Sequence, residues 1–338
     1  MSVGADLMKP PISFADVEAA AARINGAAIR TPIVRSPLLD AITGATVLMK
    51  AECLQRTGSF KFRGAYNRLA AMDDATRRQG IVAASSGNHA QGVAEAARLF
   101  GVDATIVMPA DAPHIKRSRT IRSGGNVVSY DRNREDRVAI ANAIKDERGA
   151  TFVPPFDDPF VMAGQGTSGL ELAQDARALG LKIDRVLVPT SGGGLLAGIA
   201  TAMNALMPGA VCQPVEPQGF DDMTRSLALG ERVSNRSKSG SIADALMAET
   251  PGVLTFAVNR ERARPGCVAS DEDIRSAVAF AANELKLIVE PGGAAGLAAL
   301  LTGAVDVSGE TVGLILSGGN IDGSTLAAAL AATQPSLA

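Results

Sequence analysis

A chain of 338 residues, 46% hydrophobic and 20% charged, is long enough for two packed lobes or one large α/β body, and this balance excludes disorder at scale. A formal net charge of −2, with no Trp and two Tyr, argues against nucleic acid, which needs a basic face or aromatic platforms for its bases. No apolar run is long enough to cross a bilayer, so no membrane partner is expected.

Short β-branched runs predict strands over 45–52, 80–84, 104–108, 127–130, 151–153, 185–189, 211–215, 254–258 and 311–316. Amphipathic, Ala-rich stretches over 90–100, 134–148, 169–179 and 271–287 predict helices between them. This alternation implies βαβ units and an α/β fold of mostly parallel sheets, and the nearly all-apolar runs suit strands covered by helices on both faces. Four short βα units between 79 and 157 are grouped tightly enough to form a small domain. Residues 1–78 and 158–338 would then make the larger one.

The first chemical signal is Lys61, in Thr57-Gly58-Ser59-Phe60-Lys61-Phe62-Arg63-Gly64. A lone lysine is ordinarily a solvated surface charge. Its apolar flanks Phe60 and Phe62 and the neighbouring cation Arg63 both favour a neutral amine, the nucleophilic form that a Schiff base requires. Next comes Ser85-Ser86-Gly87-Asn88-His89, between a strand and a helix. Its amides and the helix N-terminus favour an anion such as a carboxylate, although a plain Ser or Asn cap fits as well. Gly164-Gln165-Gly166-Thr167-Ser168-Gly169 matches the dinucleotide pattern, but a turn-like Asp157-Asp158-Pro159 precedes it instead of a strand. It reads as a helix start packed tightly on its neighbours, and a nucleotide-dependent oxidoreductase loses its main support.

Ser191-Gly192-Gly193-Gly194-Leu195 follows the strand over 185–189. Three successive glycines cost conformational entropy, and they let several backbone N–H groups close on one phosphate. Ser317-Gly318-Gly319-Asn320 again ends a strand and puts a hydroxyl on the carboxyl edge of a sheet, where ligands collect. A non-catalytic phosphate-binding module would not need Lys61 among apolar neighbours. The cysteines Cys53, Cys212 and Cys267 are scattered and read as reduced core thiols. With His89 and His114 the only histidines, a zinc site of the usual kind is not expected. The N-terminal stretch lacks a signal-peptide pattern, and a cytoplasmic protein is expected.

Five motifs in order resemble one family: Ser59 to Ala65, Ser85 to Gly92, the triple glycine, Glu290-Pro291-Gly292-Gly293-Ala294 and Ser317 to Asn320. This is the serine/threonine dehydratase and serine racemase group of pyridoxal-phosphate enzymes, with the two-lobed tryptophan-synthase-β-like fold (fold type II). The resemblance covers about residues 15 to 330. It implies that pyridoxal 5'-phosphate is held on Lys61 as a Schiff base, beside Phe60. It also implies Asn88 on the phenolic oxygen, Ser191, Gly192, Gly193, Gly194 and Leu195 on the phosphate, Ser317 at the pyridine nitrogen and Glu290 near the ring. A neutral Ser at that nitrogen favours elimination over long-lived carbanion chemistry.

The implied reaction is β-elimination from L-threonine, L-serine or a related β-hydroxy amino acid to a 2-oxo acid and ammonia. Lys61 would act as general base, and Ser85, Ser86, Gly87, Asn88 and His89 would hold the substrate carboxylate. Many threonine dehydratases carry Ala or Lys where this chain has Ser86, whereas racemases carry Ser there as an acid/base. An amino-acid racemase and a 3-hydroxyaspartate or phenylserine dehydratase are therefore the alternatives. Arg134 falls near a substrate-contacting Arg of the racemases. Glu216, Asp222 and the carbonyl of Phe220 match a loop that binds Mg2+ or Ca2+, or a monovalent cation. The resemblance also implies a homo-oligomer, a dimer or tetramer. With nothing appended after residue 338, feedback control by a regulatory domain is not expected.

Overall fold

The apolar runs pair into two separate sheets. A computed structural model describes residues 10–85, 87–112, 114–131 and 134–332. Its strands are β1 (Ile33–Val34), β2 (Thr46–Lys50), β3 (Ile81–Ala84), β4 (Ala104–Pro109), β5 (Gly125–Tyr130), β6 (Thr151–Phe152), β7 (Arg185–Pro189), β8 (Val211–Pro217), β9 (Cys267–Ala269) and β10 (Thr311–Ile315). Six of them form the order β1-β2-β10-β7-β8-β9, parallel throughout except where β1 meets β2. The other four form the wholly parallel order β5-β4-β3-β6. All four strands of this smaller sheet come from the continuous stretch between Ile81 and Phe152.

Both faces of the larger sheet are covered. The helix Pro291–Leu301 packs Ala294, Leu297 and Ala298 with Leu187, Val312 and Leu314. On the opposite face, Leu172 and Ala176 of Pro159–Ala178 and Leu196, Ile199 and Met203 of Gly194–Leu206 meet Val186, Val188 and Ile315. Those two helices approach closely at their glycines. A Cβ at Gly198 would lie 2.3 Å from the Met162 carbonyl oxygen and 2.5 Å from the Gly166 nitrogen. Among the described residues, no helix is long and apolar enough to cross a membrane.

Two sequence expectations need correction. Residues 254–258 are not a strand but part of the helix Val253–Arg262. The Asp157 carboxylate accepts hydrogen bonds from the N–H groups of Val253, Leu254 and Thr255, so a distant N-terminal cap overrides the β-propensity of the run. Residues 164–169 do not start a helix either. They lie inside Pro159–Ala178, which begins at the Asp158 cap with Pro159 in its first turn. The short strands β1 and β9 carry too few residues to show a pattern.

Arg63 also departs from expectation. It is fully buried and turned to carboxylates in the core rather than to the Lys61 amine. Its Nε and Nη2 donate to Glu52 at 2.8 Å, and its Nη1 and Nη2 donate to Glu171 at 2.7 and 2.8 Å. Lys50, equally buried, contacts Glu171 Oε2 at 2.7 Å and donates to the Thr31 carbonyl at 2.6 Å. The cationic charge of Arg63 is thus compensated on the spot.

Candidate active site

The carboxyl ends of β3, β7 and β10 open on one cleft of about 410 Å3 between the two sheets, the edge where open parallel sheets bind ligands. Lys61 opens the helix Lys61–Ala70, and its loop is tied to the strand-end loop after β10: Phe60 N–H donates to the Ser317 carbonyl at 3.1 Å, and Gly319 N–H to the Gly58 carbonyl at 2.9 Å. Lys61 Nζ donates to the Pro155 carbonyl at 2.7 Å and sits 5.1 Å from the Phe60 ring centre. Burial pushes its amine down to about 8, against the opposing pull of Glu290. Arg63 takes no part in that shift.

The triple-glycine loop is shaped by close packing into the space its missing side chains leave, from Phe156 within the cleft and from Met223 and Gln165 behind it. A Cβ would lie 2.3 Å from the Phe156 ring at Gly192, 2.4 Å from Met223 at Gly193, and 2.7 Å from Gln165 Oε1 at Gly194. Gly193 also has φ +93°, which favours glycine. Thr255 Oγ1 donates to the Gly192 carbonyl at 2.6 Å and Asn259 Nδ2 to the Gly193 carbonyl at 3.0 Å. With its carbonyls held, the loop's N–H groups remain: among the described residues those of Gly192 to Leu195 have no acceptor. They stand at the N-terminus of Gly194–Leu206, a ready anion cradle. Ser191 lines the cleft and accepts from Ala248 N–H at 3.1 Å.

Asn88 is the first residue of the helix Asn88–Phe100. Its Nδ2 donates to Glu290 Oε1 at 2.5 Å, and its Oδ1 accepts from Asn320 Nδ2 at 2.7 Å. Burial, then the nearby Asp244, push the Glu290 carboxyl up to about 7. His89 is buried with Nε2 2.9 Å from the Val153 carbonyl, and its Nδ1 has no partner among the described residues. Burial and the Lys61 charge push it down to about 3, so it stays neutral. Ser85, Gly87 and Ser317 also line the cleft. Ser86 lies outside the described residues.

Arg134 is not brought to the cleft. Its side chain is 86% exposed, 3.6 Å from Asp131, because residue 134 lies in the turn before a helix that starts after the Asp136 cap. The arginine that lines the cleft is Arg137, the first residue of that helix. Lys116 and Asp244, paired with each other across the cleft, also line it. Sequence reasoning missed both, since no local pattern marks them. Asn320 lay inside a quoted motif without a role.

Glu216, Phe220 and Asp222 stand apart from the cleft, behind the triple-glycine loop, where Met223 reaches Gly193. Burial and Asp222 push Glu216 up to about 8, while it accepts from the N–H groups of Met223 and Thr224 at 2.9 and 2.8 Å. Asp222 Oδ1 accepts from Asn235 at 2.6 Å, and its buried Oδ2 has no partner among the described residues. Among the described residues, no three His, Cys, Asp or Glu side chains converge as a metal site.

Comparison with known proteins agrees with this geometry. The pattern of the family described as pyridoxal-phosphate dependent enzyme matches residues 24–318. The chain is 44% identical over 310 residues to an L-threo-3-hydroxyaspartate ammonia-lyase of Pseudomonas sp, covering 92% of this chain and 96% of that one. Among solved structures, a threonine deaminase of T.th. matches with a TM-score of 0.86 at 42% identity, over 92% of this chain and 99% of that one. Maize serine racemase matches with a TM-score of 0.89 at 37% identity, over 95% and 97%.

Proposed function

The chain belongs to the family of pyridoxal-phosphate dependent enzymes, and from that premise we propose that it is an ammonia-lyase for a β-hydroxy amino acid. The product would be a 2-oxo acid and ammonia. Its two mostly parallel sheets between helices are the tryptophan-synthase-β-like, fold type II architecture. The observation that carries the reading is one cleft holding a lysine amine lowered to about 8, an unpaired N–H cradle at Gly192 to Leu195 and the Asn88–Glu290 pair. These residues fit a phosphorylated aldehyde.

Lys61 would hold the cofactor, the N–H groups of Gly192 to Leu195 its phosphate, Asn88 its phenolic oxygen, and Ser317 its ring nitrogen. Phe60 and Glu290 would flank it. Pyridoxal phosphate, when bound, supplies an electron sink that acidifies the substrate α-carbon and lets the β-hydroxyl depart. The chain does the rest. The Lys61 amine, once displaced from the cofactor by the substrate's own amine and neutral above about pH 8, would take the α-proton at Nζ. The backbone from Ser85 to His89 orients the substrate carboxylate at the helix N-terminus. Neutral His89 contributes shape and no charge.

L-threonine, L-serine and L-threo-3-hydroxyaspartate are the substrates to test, the last favoured by the Pseudomonas relative. Likeness to maize serine racemase supports racemisation as a second activity, with Ser86 as its acid/base. Further parts of the proposal are a cation, Mg2+ or Ca2+, on Glu216, Asp222 and the Phe220 carbonyl, a dimer or tetramer, and a cytoplasmic location. The unpartnered Asp222 Oδ2 supports the cation, and a rise in Tm on adding either ion would test it. The two sheets support a small domain at 79–157 and a large one of 1–78 with 158–338.

The deciding experiment is a spectrum. A visible band that disappears on borohydride treatment, with the label recovered on Lys61, supports the reading. A colourless protein unaffected by added pyridoxal phosphate would sink it. Keto-acid release and product chirality across the substrate panel then separate lyase from racemase.

A further inference from the structure

Four side chains form one directed hydrogen-bond chain that crosses from the smaller sheet's side into the cleft. Arg119 Nη1 donates to Asn320 Oδ1 at 2.9 Å, Asn320 Nδ2 to Asn88 Oδ1 at 2.7 Å, and Asn88 Nδ2 to Glu290 Oε1 at 2.5 Å. Asn320 Nδ2 also donates to the Thr57 carbonyl at 2.8 Å. A guanidinium only donates and a backbone carbonyl only accepts. Turning the Asn320 amide over would set donor against donor at Arg119 and acceptor against acceptor at Thr57, so its orientation is dictated by its partners.

The constraint passes along. Asn320 presents an N–H to Asn88, which must answer with its oxygen. The Asn88 nitrogen then has one hydrogen for Glu290 and one left for a ligand oxygen. The Thr57 carbonyl fixes the nitrogen end of the Asn320 amide, and Arg119 is the donor that fixes its oxygen end. Arg119 itself does not line the cleft. It sits on the helix His114–Arg122, between β4 and β5 of the smaller sheet, whereas Asn320 and Glu290 follow strands or helices of the larger body. Lys116, one turn earlier on that helix, pairs with Asp244, so the helix is docked at two points.

We propose that Arg119 is a positioning residue: through Asn320 it aims the donor of Asn88 into the cleft, and it does so only while the helix His114–Arg122 is docked. Docking of that helix is thereby linked to the orientation of the Asn88 amide. This rests on the cofactor role proposed for Asn88. The charged groups facing the chain of bonds, Lys61, Lys116, Asp244 and Glu290, are unchanged in the variants below.

The test compares purified holoenzymes of wild type, Arg119→Met and Arg119→Lys, using the hydroxy amino acid that wild type turns over fastest. Arg119→Met should alter the position or intensity of the resting visible band. It should lower kcat about tenfold with KM within about twofold, the pattern of a lost orienting bond. Its Tm should stay within about 4 °C, and Arg119→Lys, which can still donate to Asn320, should restore both band and kcat. A Met variant with the wild-type band and kcat, or a Lys variant that restores neither, overturns the inference. If Arg119→Met does not fold, Asn320→Asp serves instead. It keeps an acceptor for Arg119 but turns an acceptor on Asn88, and wild-type behaviour there is equally fatal. A colourless wild type overturns the proposed function together with this inference, whereas a yellow wild type indistinguishable from its Met variant overturns this inference alone.

Discussion

Lys116 and Asp244 are ion-paired across the mouth of the cleft, and they act in opposite senses on the buried Glu290. Asp244 raises the Glu290 pKa and Lys116 lowers it. Asp244→Asn should therefore move a Glu290-linked limb of the kcat–pH profile below its position near 7, and Lys116→Met should move it above. Both variants should keep stability within about 1 kcal/mol, as expected for a partly exposed pair. Profiles that shift in the same direction would refute the assignment.

The amine of Lys61, lowered to about 8, sets a pH rule for loading the cofactor. Only the neutral amine attacks an aldehyde. Reconstitution of the apoenzyme with pyridoxal phosphate should speed up about tenfold per pH unit below 8 and level off above it. A rate still rising steeply at pH 10 would mean that the amine is not lowered.

His89 predicts a stability effect at acid pH. Its folded pKa near 3 lies below the ordinary histidine value of 6.5, so between those values the unfolded chain binds a proton that the native chain refuses. Stability should fall as pH falls through that window, by up to about 1.4 kcal/mol per pH unit from this group. His89→Gln, which keeps a donor for the Val153 carbonyl, should reduce the slope by about one proton in urea unfolding at pH 4 to 6. An unchanged slope would show that His89 is accessible to protons.

Gly198 carries a packing prediction. Its missing Cβ makes room for the Met162 carbonyl and the Gly166 amide of the neighbouring helix, so Gly198→Ala forces two backbones apart. A loss of about 2–3 kcal/mol is expected in denaturant unfolding. Since Gly198 lies one turn into the helix that begins at Gly194, phosphate affinity of the apoenzyme should weaken as well. A neutral substitution would mean that the helices separate freely.

What could be read beforehand divides by range. Runs such as 81–84, 185–189 and 311–315 announce themselves because strands buried on both faces must be apolar along their whole length. Lys61 and the loops at Ser191 and Ser317 were legible because glycine spacing is fixed by the local backbone. The run 254–258 misled because the carboxylate that makes it a helix, Asp157, is remote in sequence. Arg63 misled for the same reason: proximity to Lys61 in the chain said nothing of Glu52 and Glu171, which neutralise it. Arg137 and Lys116 enter the cleft through the packing of their helices, whereas Arg134 lies in the turn before its helix and stays exposed.

The strands pair in a different order from the one in which they are made. β2 lies between β1 and β10, with Thr46 opposite Thr311, while the smaller sheet draws only on Ile81 to Phe152. A chain leaving the ribosome N-terminus first therefore has every strand of the smaller sheet in hand while β2 still waits for its neighbour. Glu290, Ser317 and Asn320 reach Lys61 late in synthesis. The cleft around Lys61, which Asn88 and the triple-glycine loop enter earlier in the chain, is completed only when β10 seats.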